Sequence, residues 1–112
     1  MKTILVAEDE GLLRSLIERV LTKHGYTVVL AQDGEEALQL LEKHHIDVAL
    51  LDVNMPKCCG LSVLTVIQSM YPAIRTIVTS GDIDSLYSHD ASKRPCVYLS
   101  KPFRMERLLN LL

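Results

Sequence analysis

Long hydrophobic runs are absent from this 112-residue chain. No apolar stretch approaches the ~20 residues that a bilayer-spanning helix needs. Met1-Lys2-Thr3 leads straight into a strand-like segment, without the extended apolar region of a signal peptide. A membrane partner is therefore not expected. Cysteine is scarce: Cys58 and Cys59 are adjacent and Cys96 stands alone, which is neither a disulfide framework nor a zinc spacing. Reduced thiols and a cytoplasmic setting follow. There is also no basic surplus. A formal net charge of -2 offers no broad field for phosphate backbones, so direct nucleic-acid binding by this domain is not expected. Internal repeats, linkers and low-complexity segments are missing too. What is present is ordinary for a folded domain, with 48% hydrophobic and 23% charged residues, and the length suits one domain over 1–112.

The apolar residues are arranged in two alternating rhythms. Ile4 to Ala7, Tyr26 to Ala31, residues 46 to 51, Ile74 to Thr79 and Val97 to Ser100 are short apolar or β-branched runs that read as strands. Between them lie helical spacings. Leu12, Leu13, Leu16, Ile17, Val20 and Leu21 form the first, stopped by Gly25. Asp33-Gly34 reads as a turn before a second helix with Ala37, Leu38 and Leu41. Gly60 precedes a third helix with Val63, Leu64, Ile67 and Met70, which ends before Pro72. A weaker fourth helix is expected from Asp82 to about Ala91, and a fifth begins with Met105, Leu108, Leu109 and Leu112. Five strands alternating with five helices call for an α/β fold, a single doubly wound five-stranded parallel sheet. The last helix is still periodic at Leu111-Leu112, so the chain is expected to be the N-terminal part of a longer protein.

Four of the five strands end on polar or ionisable groups: Glu8-Asp9, Asp52, Thr79 and Lys101. In a parallel sheet these carboxyl ends lie on one edge, where open α/β sheets bind their ligands. Clustered carboxylates repel one another and raise each other's pKa unless a cation intervenes. A hard divalent ion such as Mg2+ suits oxygen donors of this kind. Asp9 and Asp52 can ligate it directly, Asn54 can add a backbone carbonyl, and Glu8 can act through water. Lys101 can pair with an anion bound at Asp52, and Thr79 offers a hydroxyl to a phosphoryl oxygen. The set meets the needs of phosphoryl transfer onto a carboxylate, with Asp52 as acceptor. Taken singly, each residue is more often a cap, a surface group or core filler; the combination carries the specificity.

The segments ILVAEDE (Ile4 to Glu10), ALLDVNMP (Ala49 to Pro56), Thr79-Ser80 and YLSKPF (Tyr98 to Phe103) closely resemble the receiver domain of two-component response regulators, in order and over essentially the whole chain. The resemblance implies a flavodoxin-like sheet of strand order 2-1-3-4-5. It implies that Asp52 takes a phosphoryl group from a sensor histidine kinase or phosphotransfer protein, with Mg2+ as cofactor. By motif position, Glu8, Asp9, Asp52 and Asn54 match the metal set, Lys101 the phosphate-pairing lysine, Thr79 the switch hydroxyl and Tyr98 the aromatic switch. The Lys101-Pro102 bond is typically cis in the family. Such a domain is a signalling module, an enzyme only toward its own phosphorylation and dephosphorylation. It acts on an output domain or forms a homodimer through the face of the fourth helix, fifth strand and fifth helix. A phosphoaspartyl hydrolase would instead want an acid two residues after the nucleophile, where this chain has Asn54. A receiver-like scaffold without phosphorylation would not need the intact acids, Thr79 and Lys101.

Several features depart from the pattern. Glu8 stands where many members have aspartate. Pro56-Lys57-Cys58-Cys59-Gly60 replaces the usual Pro-x-Met-Asp/Asn-Gly, and Ser92-Lys93-Arg94-Pro95-Cys96 replaces a usual Gly-Ala pair before Tyr98. His24, His44, His45 and His89 read as solvated or helix-end charges. Arg104 and Arg107 are expected to face solvent. Nothing in the local sequence marks the cysteines as low-pKa thiols, and they read as small rim or buried residues.

Overall fold

A computed structural model describes residues 2–55, 57, 59–81 and 97–112. The helix expected from Asp82 to Ala91, the loop before Tyr98, His89 and Cys58 lie outside the described residues. The elements run β1 (Thr3–Ala7), α1 (Gly11–Lys23), β2 (Thr27–Ala31), α2 (Gly34–Lys43), β3 (Val48–Asp52), α3 (Gly60–Met70), β4 (Arg75–Ser80), β5 (Val97–Ser100) and α4 (Met105–Leu111), which is the last helix read from the sequence. The five strands are all parallel, in the order β2-β1-β3-β4-β5.

Strand alternation divides the core into two layers. In β1, Ile4 and Val6 face one side while Leu5 and Ala7 face the other; in β3, Val48 and Leu50 oppose Ala49 and Leu51. The first set packs with Ile17 and Leu21 of α1, Ile77, Leu99, and Leu108 of α4. The second packs with Ala37 and Leu41 of α2 and with Val63, Leu64 and Ile67 of α3. Both faces of β3 are buried, which explains its unbroken apolar run.

Two helical readings change. Asp33-Gly34 is not a free turn: Asp33 is the N-cap of α2, its Oδ1 accepting from Glu36 N–H at 2.8 Å, and Gly34 is the first helical residue. Not every periodic apolar residue is inward, either. Leu12 is 85% and Leu16 44% exposed on α1, and Met70 at the end of α3 is 66% exposed. Helical spacing alone therefore overstates the buried face of these helices.

Gly25 has φ +90° just past α1, as a C-terminal stop requires. Gly60 answers to a different constraint. A Cβ there would collide with the carbonyl oxygen of Asp52, so only glycine lets α3 start against the end of β3.

Candidate functional site

Alternation also aims the polar strand ends. Glu8, Asp52, Thr79 and Lys101 have the same parity as Val6, Leu50, Ile77 and Leu99, all members of the α1–α4 layer. They continue that layer beyond the carboxyl edge of the sheet, where the apolar core gives out. Register then brings them side by side, since Asp52 is the partner of Thr79 across β3 and β4. Lys101 follows β5 directly and donates its backbone N–H to Ser80 at 2.8 Å. The Lys101-Pro102 peptide is cis.

The side chains meet as that placement implies. Lys101 Nζ lies 2.9 Å from Glu8 Oε1 and 3.3 Å from Asp52 Oδ2. Asp52 Oδ1 accepts from the N–H of Asn54 at 3.3 Å, and Glu8 Oε2 accepts from the N–H of Glu10 at 3.2 Å. Glu8, Asp9 and Asp52 each bring a carboxylate oxygen within 4.8 Å of the others. Glu8 and Asp52 are both only 3% exposed, whereas Asp9 is open to solvent. Thr79 is buried beside Asp52, and Asn54 is exposed at the rim.

Packing two buried carboxylates around one ammonium has electrostatic consequences. The Asp52 carboxyl is raised from 3.8 to about 7. Burial is the largest cause, and a hydrogen bond to Glu8 and the charge of Glu8 add to it. Lys101 and the Asn54 N–H pull the other way without prevailing. Burial also works against the Lys101 ammonium, but its contacts with Glu8 and Asp52 outweigh this and raise its pKa. The cluster is therefore short of positive charge. Its donors are oxygens, three from carboxylates, with one open side at Asp9, and they fit a hard divalent cation such as Mg2+.

Other sequence readings divide. Tyr98 is half-buried but lies on the opposite parity, packed against the α2–α3 layer and not in the acidic cluster. His24, His44 and His45 are exposed, with His24 Nδ1 2.9 Å from the Val20 carbonyl at the end of α1. Arg104 and Arg107 face solvent. Cys59 departs from expectation. It is exposed at the N-cap of α3, 3.5 Å from Ser62 Oγ, and that hydrogen bond is the main reason its thiol pKa is lowered. Sequence reading also passed over Arg14, whose guanidinium donates to the Glu8 carbonyl at 2.8 Å. The available signal was an arginine on the first turns of a helix that follows three acids.

Comparison with known proteins agrees with this fold. Residues 4–112 match the family described as the response regulator receiver domain. The response regulator MprA of Mycobacterium sp. (strain KMS) is 38% identical over 107 residues, 95% of this chain and 46% of that protein. The transcriptional regulatory protein CpxR of Escherichia coli K12 is 34% identical over 111 residues, 97% of this chain and 47% of that protein. The chain thus spans about half the length of these relatives. Among solved structures, the response regulator TrrA of Thermotoga maritima, in complex with Mg2+ and BeF, superposes with a TM-score of 0.82 at 32% identity, covering 100% of both chains.

Proposed function

The chain belongs to the receiver domains of two-component response regulators, and from that premise we propose that Asp52 is its phosphoacceptor and that phosphorylation switches its output. The observation that carries this reading is the Asp52 carboxylate held at the end of β3, 3.3 Å from Lys101 Nζ and within 4.8 Å of the Glu8 and Asp9 oxygens. In the transfer, an Asp52 oxygen forms a bond to phosphorus as the bond from phosphorus to the donor's phosphohistidine nitrogen breaks. Lys101 and the hydroxyl of Thr79 are suited to hold the equatorial oxygens, which carry the charge of a loose transition state. Glu8, Asp9, Asp52 and the Asn54 carbonyl would hold Mg2+, which when bound neutralises the acids and the incoming phosphoryl group. TrrA, with Mg2+ and BeF bound, supports that assignment.

The donor would be a sensor histidine kinase or phosphotransfer protein. Leu12 and Leu16 are exposed on α1, and Leu13, Pro102 and Phe103 line a cleft beside Lys101 and Glu10, which suits an apolar helical partner bringing its phosphohistidine to this edge. Once phosphorylated, Thr79 and Lys101 would draw toward the new anion and Tyr98 would turn, shifting the β5 side of the molecule between two states. An output domain or a second copy would read that face, and we expect it in a longer protein of which this chain is the N-terminal part. Water would eventually cleave the acyl phosphate, so the domain catalyses only its own phosphorylation and dephosphorylation.

Incubation with a small acyl phosphate and Mg2+ should add one phosphoryl group to the wild-type chain and none to Asp52→Asn, as read by intact mass. No adduct on the wild type, or an equal adduct on the variant, would sink the assignment.

A further inference from the structure

We propose that Arg14 is a positioning residue for the metal-binding acids, holding the β1–α1 turn so that Asp9 faces Glu8 and Asp52. This rests on the reading of the cluster as a Mg2+ site. Glu8, Asp9 and Glu10 are consecutive, and three adjacent carboxylates repel one another. Glu8 is nevertheless well anchored: its N–H bonds the Ala31 carbonyl at 3.1 Å, and its carboxylate is held by Lys101 and the Glu10 N–H. Asp9 has no such support. It is exposed, and among the described residues its carboxylate has no hydrogen bond or ion pair. The direction of its Cα–Cβ bond is therefore set by the two peptide planes that flank it.

Arg14 grips both of those planes. Its Nη1 donates to the Glu8 carbonyl at 2.8 Å and, over a longer 3.4 Å, to the Asp9 carbonyl. The arginine is itself fixed in the first turns of α1, where its own N–H donates to the Glu10 carbonyl at 2.9 Å. The turn is thus closed on itself, with α1 as the rigid support. Both bonds leave the same nitrogen, Nη1, which the planar guanidinium holds in a fixed direction, whereas a lysine ammonium is a freely rotating point of charge on a flexible stem.

Charge and geometry make opposite predictions. If Arg14 acted only as a nearby cation, it would oppose a divalent ion, and removing it would tighten Mg2+ binding. If it positions Asp9, removing it weakens binding, and loss of an outer-shell support typically costs metal affinity about tenfold or more. The test titrates the metal-free chain with Mg2+, followed by backbone amide shifts in NMR, for the wild type, Arg14→Gln and Arg14→Lys. A parallel series measures phosphorylation by a small acyl phosphate against Mg2+ concentration. Arg14→Gln is expected to raise the half-saturating Mg2+ about tenfold in both series, with the rate at saturating Mg2+ recovering toward wild type. Arg14→Lys should fall between, since it keeps a charged donor but lacks the planar group that fixes its direction. Unchanged or tighter Mg2+ binding in Arg14→Gln would overturn the proposal, as would a lysine variant no better than glutamine. A wild-type chain that binds Mg2+ but takes no phosphoryl group would refute the phosphoacceptor reading instead, leaving the Mg2+ titration to judge Arg14.

Discussion

The carboxylate of Asp52 is the residue on which the domain's chemistry and its stability pull in opposite directions. A pKa raised from 3.8 to about 7 means that between those values the folded chain holds a proton that the unfolded chain has released. Stability then falls as pH rises through that window, by up to about 1.4 kcal/mol per pH unit from this group. Below about pH 4 both states are protonated and the contribution is flat; above about 7 both are ionised and the loss is complete. In metal-free buffer, urea unfolding from pH 4 to pH 8 should therefore show a steeper decline for wild type than for Asp52→Asn, and the variant should be the more stable of the two at pH 8. Parallel pH curves would show that burial does not strain this carboxyl. The parity that aims Asp52 beside Glu8 was legible in the sequence, because alternation along a strand is a local property. Its raised pKa was not, because it depends on desolvation and on a glutamate 44 positions away in the chain.

At the scale of elements, the junction between β3 and α3 is tight. The helix begins where Gly60 abuts the Asp52 carbonyl, and the Gly60 N–H donates to the Val53 carbonyl at 3.1 Å. Backbone, not a flexible side chain, fills the space a Cβ would need. Gly60→Ala should therefore cost at least about 2 kcal/mol, the upper range for forcing atoms into a packed site. It should also slow phosphorylation at Asp52 by displacing the strand end. A urea midpoint equal to wild type would contradict this close approach. The sequence suggested a helix start at this glycine, but the reason for it lies in how close two elements come. Lys57, in the same connection, adopts φ +68° and sits 3.7 Å from Asp33, the N-cap of α2. That pairing links two loops at the site's edge, and no spacing in the sequence announced it.

For the molecule as a whole, two apolar layers share one sheet, so neither can be lost without the other and a single cooperative transition is expected. The acidic cluster lies at the edge of one layer, which links its occupancy to global stability. Mg2+ at about 100 times its dissociation constant should stabilise the fold by about 2.7 kcal/mol, a rise of roughly 10 °C in the thermal midpoint for a domain of this size. A chelator should reverse it. An equal rise in a chain carrying both Glu8→Gln and Asp9→Asn would place the ion elsewhere.

The sequence by itself determined the five strands and the helices found among the described residues, the two-faced burial of β3, the polar strand ends and the family they resemble. These follow from rules that act within a few residues: strand alternation, helical spacing and turn chemistry. Only the tertiary structure decided that Lys101 bridges Glu8 and Asp52, that Gly60 abuts the Asp52 carbonyl, that Leu12 and Met70 are left exposed, and that Arg14 closes the turn carrying Asp9. The Lys101 bridge depends on distances between segments remote in the chain, and the Arg14 contact on how the turn before α1 folds back on the helix. Local periodicity can say which way a side chain points, but not what it will meet.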